Sequence, residues 1–219
     1  MRRLIWMVAA LGLLLGVAGQ QVSAADIPAV TLDNTTGEPL GNPPFTLGWA
    51  FHVNSPISVT SLEIFDDSQD GLVDSYPTAI FDSGGSPLVS TTVDSGTTDP
   101  LLNQFRSKAV TPTLLLPGDY TIGALYLTGD DPLVGPGFAT AINFATAPQI
   151  TFTESRFAFG STLTAPTSSA GPDPGYFGPN FDFQGTAVPE PATLTLLGLG
   201  ALGLAGYAWR RKRLLRSVA

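Results

Sequence analysis

The sequence predicts an all-β protein, built as a single β-sandwich or jelly-roll-like domain. The 219-residue chain holds 24 Gly and 19 Pro, and through residues 26–187 these recur at short intervals as turn signals. The stretches between them are short and rich in Thr, Val, Ile, Phe and Tyr, with partial period-two alternation. There is no cysteine, so a core or bound ions must hold the fold without disulfides or thiolate chemistry.

Residues 1–25 form a signal peptide and stand outside the fold. Arg2 and Arg3 make the basic start, residues 4–17 the apolar stretch, and Val22-Ser23-Ala24 a small-residue cleavage site. Cleavage is expected after Ala24.

Strands follow in residues 26–187. Residues 46–53 place Leu47, Trp49, Phe51 and Val53 on one face, and residues 59–65 are a second apolar run. Residues 78–82 and 87–93 flank Gly84-Gly85 and read as a hairpin. Residues 105–110 and 120–127 are strands with Pro117-Gly118-Asp119 as the turn between them. Residues 150–159 are a late strand or pair. Residues 161–178, rich in Pro, Gly, Ser and Thr, read as a long ordered loop or a mobile segment.

The end of the chain has three parts. Pro189-Glu190-Pro191 is followed by residues 192–209, which carry no charge, and then by a basic stop over residues 210–216. As a helix the 18 uncharged residues rise roughly 27 Å, close to the hydrocarbon thickness of a bilayer. They are expected to form a transmembrane helix with Tyr207 and Trp209 at the interface and the C-terminus cytoplasmic.

Charge separates the tails from the domain. Seven of the ten Lys and Arg lie in the two tails, leaving Arg106, Lys108 and Arg156 against 17 acids, a net charge of −14. Such a domain repels nucleic acid and anionic polymers and attracts divalent cations.

The sharpest local constellation runs from Asp66 to Asp74. Asp66, Ser68 and Asp70 fall at positions 1, 3 and 5 of a calcium loop, Gly71 at the turn position and Asp74 at position 9. Position 12 is Pro77, where a bidentate carboxylate is expected, so the alternative is a polar turn. Asp99, Asp130 and Asp131 are candidates to complete a site. His52, the single histidine, is out of phase with the apolar face and reads as a surface residue. One histidine without cysteine excludes the usual zinc sets, and there is no G-x-S-x-G nucleophile elbow. Paired carboxylates for glycoside hydrolysis remain open, with Glu38, Glu63 and Glu154 undistinguished. Trp49, Tyr120 and Tyr126 read as core, and Tyr176 and Phe177 as candidates for an exposed sugar-stacking platform. Arg106 is expected to pair with a nearby Asp.

The Pro189-Glu190-Pro191 motif, apolar span and basic stop resemble the PEP-CTERM sorting signal of Gram-negative bacteria. The resemblance implies recognition by an exosortase-type membrane protease, a transient membrane anchor, and export to the cell surface or an extracellular matrix. The ectodomain resembles DUF4082-like β-sandwiches. Gly48-Trp49-Ala50-Phe51, Phe65-Asp66-Asp67-Ser68-Gln69-Asp70-Gly71-Leu72, Ile80-Phe81-Asp82-Ser83-Gly84-Gly85 and Leu116-Pro117-Gly118-Asp119-Tyr120 carry it. That resemblance implies a carbohydrate-binding-module type of sandwich and carries over no activity. The expectation is a non-enzymatic surface or matrix protein associated with exopolysaccharide or biofilm. A carbohydrate-binding module, calcium-dependent or not, and a secreted hydrolase are the alternatives.

Overall fold

The computed structural model describes residues 25–39, 41, 43–135, 140–185, 198–204, 207 and 209. The expected signal peptide and its Ala24 cleavage site lie outside them, as do Pro189, Glu190, Pro191 and much of the expected membrane span. Residues 198–204 are helical. Among the described residues no helix is long and apolar enough to cross a membrane.

The ectodomain is all β. Its strands are β1 (Ile27–Pro28), β2 (Val30–Thr31), β3 (Phe45–Val53), β4 (Ile57–Phe65), β5 (Tyr76–Asp82), β6 (Pro87–Val93) and β7 (Leu101–Leu102). They continue with β8 (Phe105–Leu115), β9 (Gly118–Tyr126), β10 (Ala145–Thr146), β11 (Ile150–Phe159), β12 (Ser168–Gly171) and β13 (Pro179–Gly185). A five-stranded sheet has the order β1-β13-β4-β8-β7, and a six-stranded sheet the order β12-β11-β3-β9-β5-β6; β10 and β2 form a separate pair.

The two larger sheets close on an aromatic core. Trp49 and Phe51 come from the six-stranded sheet, Phe181 and Phe183 from the five-stranded one, and all are buried. Trp49 stacks on Phe181 with ring centroids 5.9 Å apart, and its Nε1 donates to the Pro179 carbonyl at 2.8 Å. That bond satisfies the one polar atom a buried indole carries.

The β5–β6 hairpin forms where the sequence places it, turning through Gly85 at φ +83°. Asp82 Oδ1 accepts from the backbone N–H of Gly84 and of Ser86, both at 2.9 Å. The Pro117-Gly118 turn also forms, but it carries the chain between sheets, since β8 and β9 belong to different ones.

The expected loop over residues 161–178 is corrected. It contains β12, which pairs with β11 and makes the edge of the six-stranded sheet. Before β12 the chain lies on that sheet as a strap, with Thr164 N–H donating to Thr46 Oγ1 at 3.3 Å. Glycine makes room for it: a Cβ on Gly123 would stand 3.0 Å from Pro166. Gly48 pairs with Gly123 across β3 and β9, and a Cβ there would meet the Ile122 carbonyl oxygen at 1.9 Å.

Candidate functional site

The loop after β4 is organised around a cation that the chain itself supplies. Asp66 is 1% exposed, and its Oδ2 lies 2.6 Å from Arg106 Nε. Gly71 N–H donates to both Asp66 oxygens at 3.1 and 3.2 Å. Arg106 Nη1 and Nη2 donate to the carbonyls of Asp99 and Gln69, each at 3.3 Å. The guanidinium thus gathers one carboxylate and two carbonyl oxygens, the ligand types a hard metal ion takes.

The other candidate ligands of this loop have separate work. Ser68, at φ +60°, donates to Asp67 at 3.4 Å, Asp70 is exposed, and Asp74 accepts from the Thr128 hydroxyl. Asp131, nominated from another loop, does arrive here. It accepts from the N–H groups of Val73 and Asp74, at 2.9 and 3.0 Å, and from the Tyr76 hydroxyl. Asp99 accepts from Asp94 N–H at 2.8 Å and from Lys108 Nζ at 3.0 Å. Asp130 stays exposed. Among the described residues no group of three or more His, Asp or Glu is arranged to hold a metal ion. Asp66, Asp99 and Asp131 satisfy backbone donors of these loops.

The aromatic platform is corrected. Phe177 is fully buried, stacked on Phe144 with centroids 4.9 Å apart and set edge-on to Trp49 at 6.0 Å. Tyr176 is half-buried, at φ +55°, and burial raises its hydroxyl pKa. The loop folds back because Phe177 bridges Val134, and Gly135 admits the Tyr176 backbone where a Cβ would stand 2.3 Å from its nitrogen. Trp49 and Tyr126 are core as expected, and Tyr120 is half-buried against the core. Tyr76 and Tyr126 pack at 4.8 Å, and burial pushes both hydroxyls far up. His52 is at the surface, its Nδ1 2.6 Å from Asp119 Oδ1.

The glutamates separate. Glu154 is ion-paired with Arg156 and bonded by Ser169, whose hydroxyl lowers its pKa. Glu38 pairs by its backbone with Leu133. Glu63 is 1% exposed, on β4, and lies near Asp182 of β13, whose charge acts on it. Burial first, then the Asp182 charge, raises Glu63 well above the carboxylate range; burial also raises Asp182. Asn180 Nδ2 donates to Glu63 Oε2 at 3.0 Å, while Oε1 has no fixed donor. One sequence signal points to its burial: Glu63 is the single charge in the run Ser61-Leu62-Glu63-Ile64-Phe65.

Above this pair, on the face of the five-stranded sheet turned from the core, lies a cavity of roughly 420 Å3. Asp26, Asp182, Ser61, Ser107 and Leu102 line it, so it takes residues from each of the five strands or their ends. Asp26 Oδ1 accepts from Thr60 Oγ1 at 3.0 Å and from Gln184 Nε2 at 3.1 Å, tying the start of the domain to its last strand. A second cavity, of roughly 320 Å3, lies beside the strap and is lined by Asp82, Thr121, Thr153, Arg156 and Pro166 among others.

Comparison with known proteins bears on the tail. No curated protein and no solved structure gave a significant match. Residues 187–213 match the PEP-CTERM protein-sorting motif. The match begins two residues after Gly185, where β13 ends, and contains Pro189-Glu190-Pro191 and the start of the basic stop. The chain therefore carries a PEP-CTERM protein-sorting motif, the mark of an exported protein that an exosortase sorts to the cell surface.

Proposed function

We propose that this chain is a non-enzymatic protein of the cell surface or extracellular matrix, deposited with exopolysaccharide once an exosortase has removed its tail. The observation that carries the reading is the sorting motif at residues 187–213, placed directly after the last strand of a β-sandwich. Tail removal beyond Gly185 spares every strand of that sandwich. Its strong negative charge suits a hydrated matrix, where it repels polyanions and keeps copies apart. The DUF4082-like resemblance of the ectodomain belongs to the same reading.

Intact-mass measurement of the protein recovered from the surface of its host, with fractionation against exopolysaccharide, tests it. The expected mass lacks residues 192–209, and the protein travels with the polysaccharide. A surface form that keeps the apolar span would reduce the tail to a simple anchor. A form that leaves the polysaccharide on gentle washing would remove the matrix association.

A further inference from the structure

The cavity on the five-stranded sheet is a trough that crosses the strands. Its lining follows the sheet order: Asp26 just before β1, Asp182 on β13, Ser61 on β4, Ser107 on β8 and Leu102 on β7. Five strands at about 4.8 Å spacing give it a run of roughly 19 Å. That suits an extended chain lying across the strands better than a compact molecule. Its volume lies within the usual range of ligand clefts.

Two oxygens in and under it lack protein partners. Ser61 is 6% exposed and lines the trough, and its Oγ has no hydrogen-bond partner; Glu63 Oε1, beside Asp182, has none either. Buried polar atoms are ordinarily paired, so each invites a donor or acceptor from outside. The acids nearby carry less net charge than their number suggests. Asp99 is ion-paired with Lys108, and burial raises the pKa of both Glu63 and Asp182. What remains is a mixture of hydroxyl groups and carboxylate acceptors with an apolar end at Leu102. That mixture matches a ligand whose groups both donate and accept, and the −14 charge of the domain excludes polyanions.

We propose that this trough binds a neutral, hydroxyl-rich glycan chain lying across the five strands, with Ser61, Ser107, Asp26 and Asp182 reading its hydroxyl groups. The proposal rests on the exopolysaccharide reading above and names the surface that makes the contact.

Calorimetric titration of the full chain in detergent micelles tests it, using neutral β-1,4-, β-1,3- and α-1,4-glucan hexasaccharides and an oligogalacturonate of equal length. Saturable binding of at least one neutral hexasaccharide, and none of the polyanion, is expected. Ala109→Trp places an indole in the trough from an exposed position on β8. It should weaken that binding by at least about tenfold without changing the melting temperature. Thr153→Trp, in the cavity beside the strap, should leave it unchanged. Absence of saturable binding by all three neutral chains overturns the proposal, as does equal binding by Ala109→Trp. Fractionation separates the two readings. If Ala109→Trp stays with exopolysaccharide in the host, the association stands and the trough does not carry it. If wild type binds glucan but leaves the matrix, the trough stands and the association falls.

Discussion

Arg106 and Asp66 form an ion pair at 2.6 Å with side chains only 7% and 1% exposed. Asp66, the first position of the expected calcium loop, is thereby paired within the domain, by a strand of the same sheet.

Arg106→Ala should therefore destabilise the domain by about 3–5 kcal/mol, the usual result of stranding one member of a buried pair. Chemical denaturation of both forms checks this. In wild type, calcium should raise the melting temperature no more than magnesium at equal ionic strength, since the guanidinium already occupies Asp66. A calcium-specific rise that Asp70→Ala abolishes would show that the loop takes a metal despite Arg106.

The Glu63–Asp182 pair predicts an unusual pH dependence. Both carboxyl groups have folded-state pKa values above their ordinary values of 4.5 and 3.8. Protons bound in the folded state and absent from the unfolded one make stability fall as pH rises. The contribution is complete below the ordinary values and is lost as pH climbs through the raised ones. Each proton of difference gives a slope of about 1.4 kcal/mol per pH unit. Glu63→Gln keeps the shape and supplies a donor without a charge. Urea titrations from below the ordinary carboxylate values upward should show a smaller loss for this variant than for wild type. Parallel curves would mean that the pair is not protonated.

Phe177→Ala should cost about 3–5 kcal/mol, as for any large aromatic removed from a core. A residue on an exposed platform would cost almost nothing. Thermal unfolding of this single variant distinguishes the two positions.

Gly48→Ala should destabilise by about 1–3 kcal/mol or more, because its Cβ meets backbone that cannot rotate away. Gly123→Ala presses on Pro166 and Thr46 side chains, so its effect should appear first as loosening of the strap. Hydrogen exchange at Thr164, whose N–H bonds Thr46, reports that directly.

What could be read from the sequence was local. The β5–β6 hairpin and β11 follow from alternation and turn residues within a few positions of each other. The sorting motif is also local, and it matched. β1 and β13 are not legible as strands, because β1 pairs only with β13, and β13 joins the sheet only between β1 and β4, both distant in sequence. Phe177 departs from expectation for the same reason: its Gly/Pro surroundings say loop, while Val134 and Trp49 decide its burial. Glu63 and Asp182 are neighbours only once β13 lies beside β4. Composition has no means of showing that two acids are buried side by side.

The bond between Asp26 and Gln184 also sets how the domain bears load. β1 and β13 are antiparallel neighbours, with Ile27 opposite Phe183, so the two ends of the domain leave it side by side. Tension drawn between those ends opens the β1–β13 pair like a zipper, one rung at a time, and never shears all rungs at once. A domain held by one end feels none of this, because no force passes between its ends. Fastened at both, it would yield first at the two-residue β1, leaving β13 against β4.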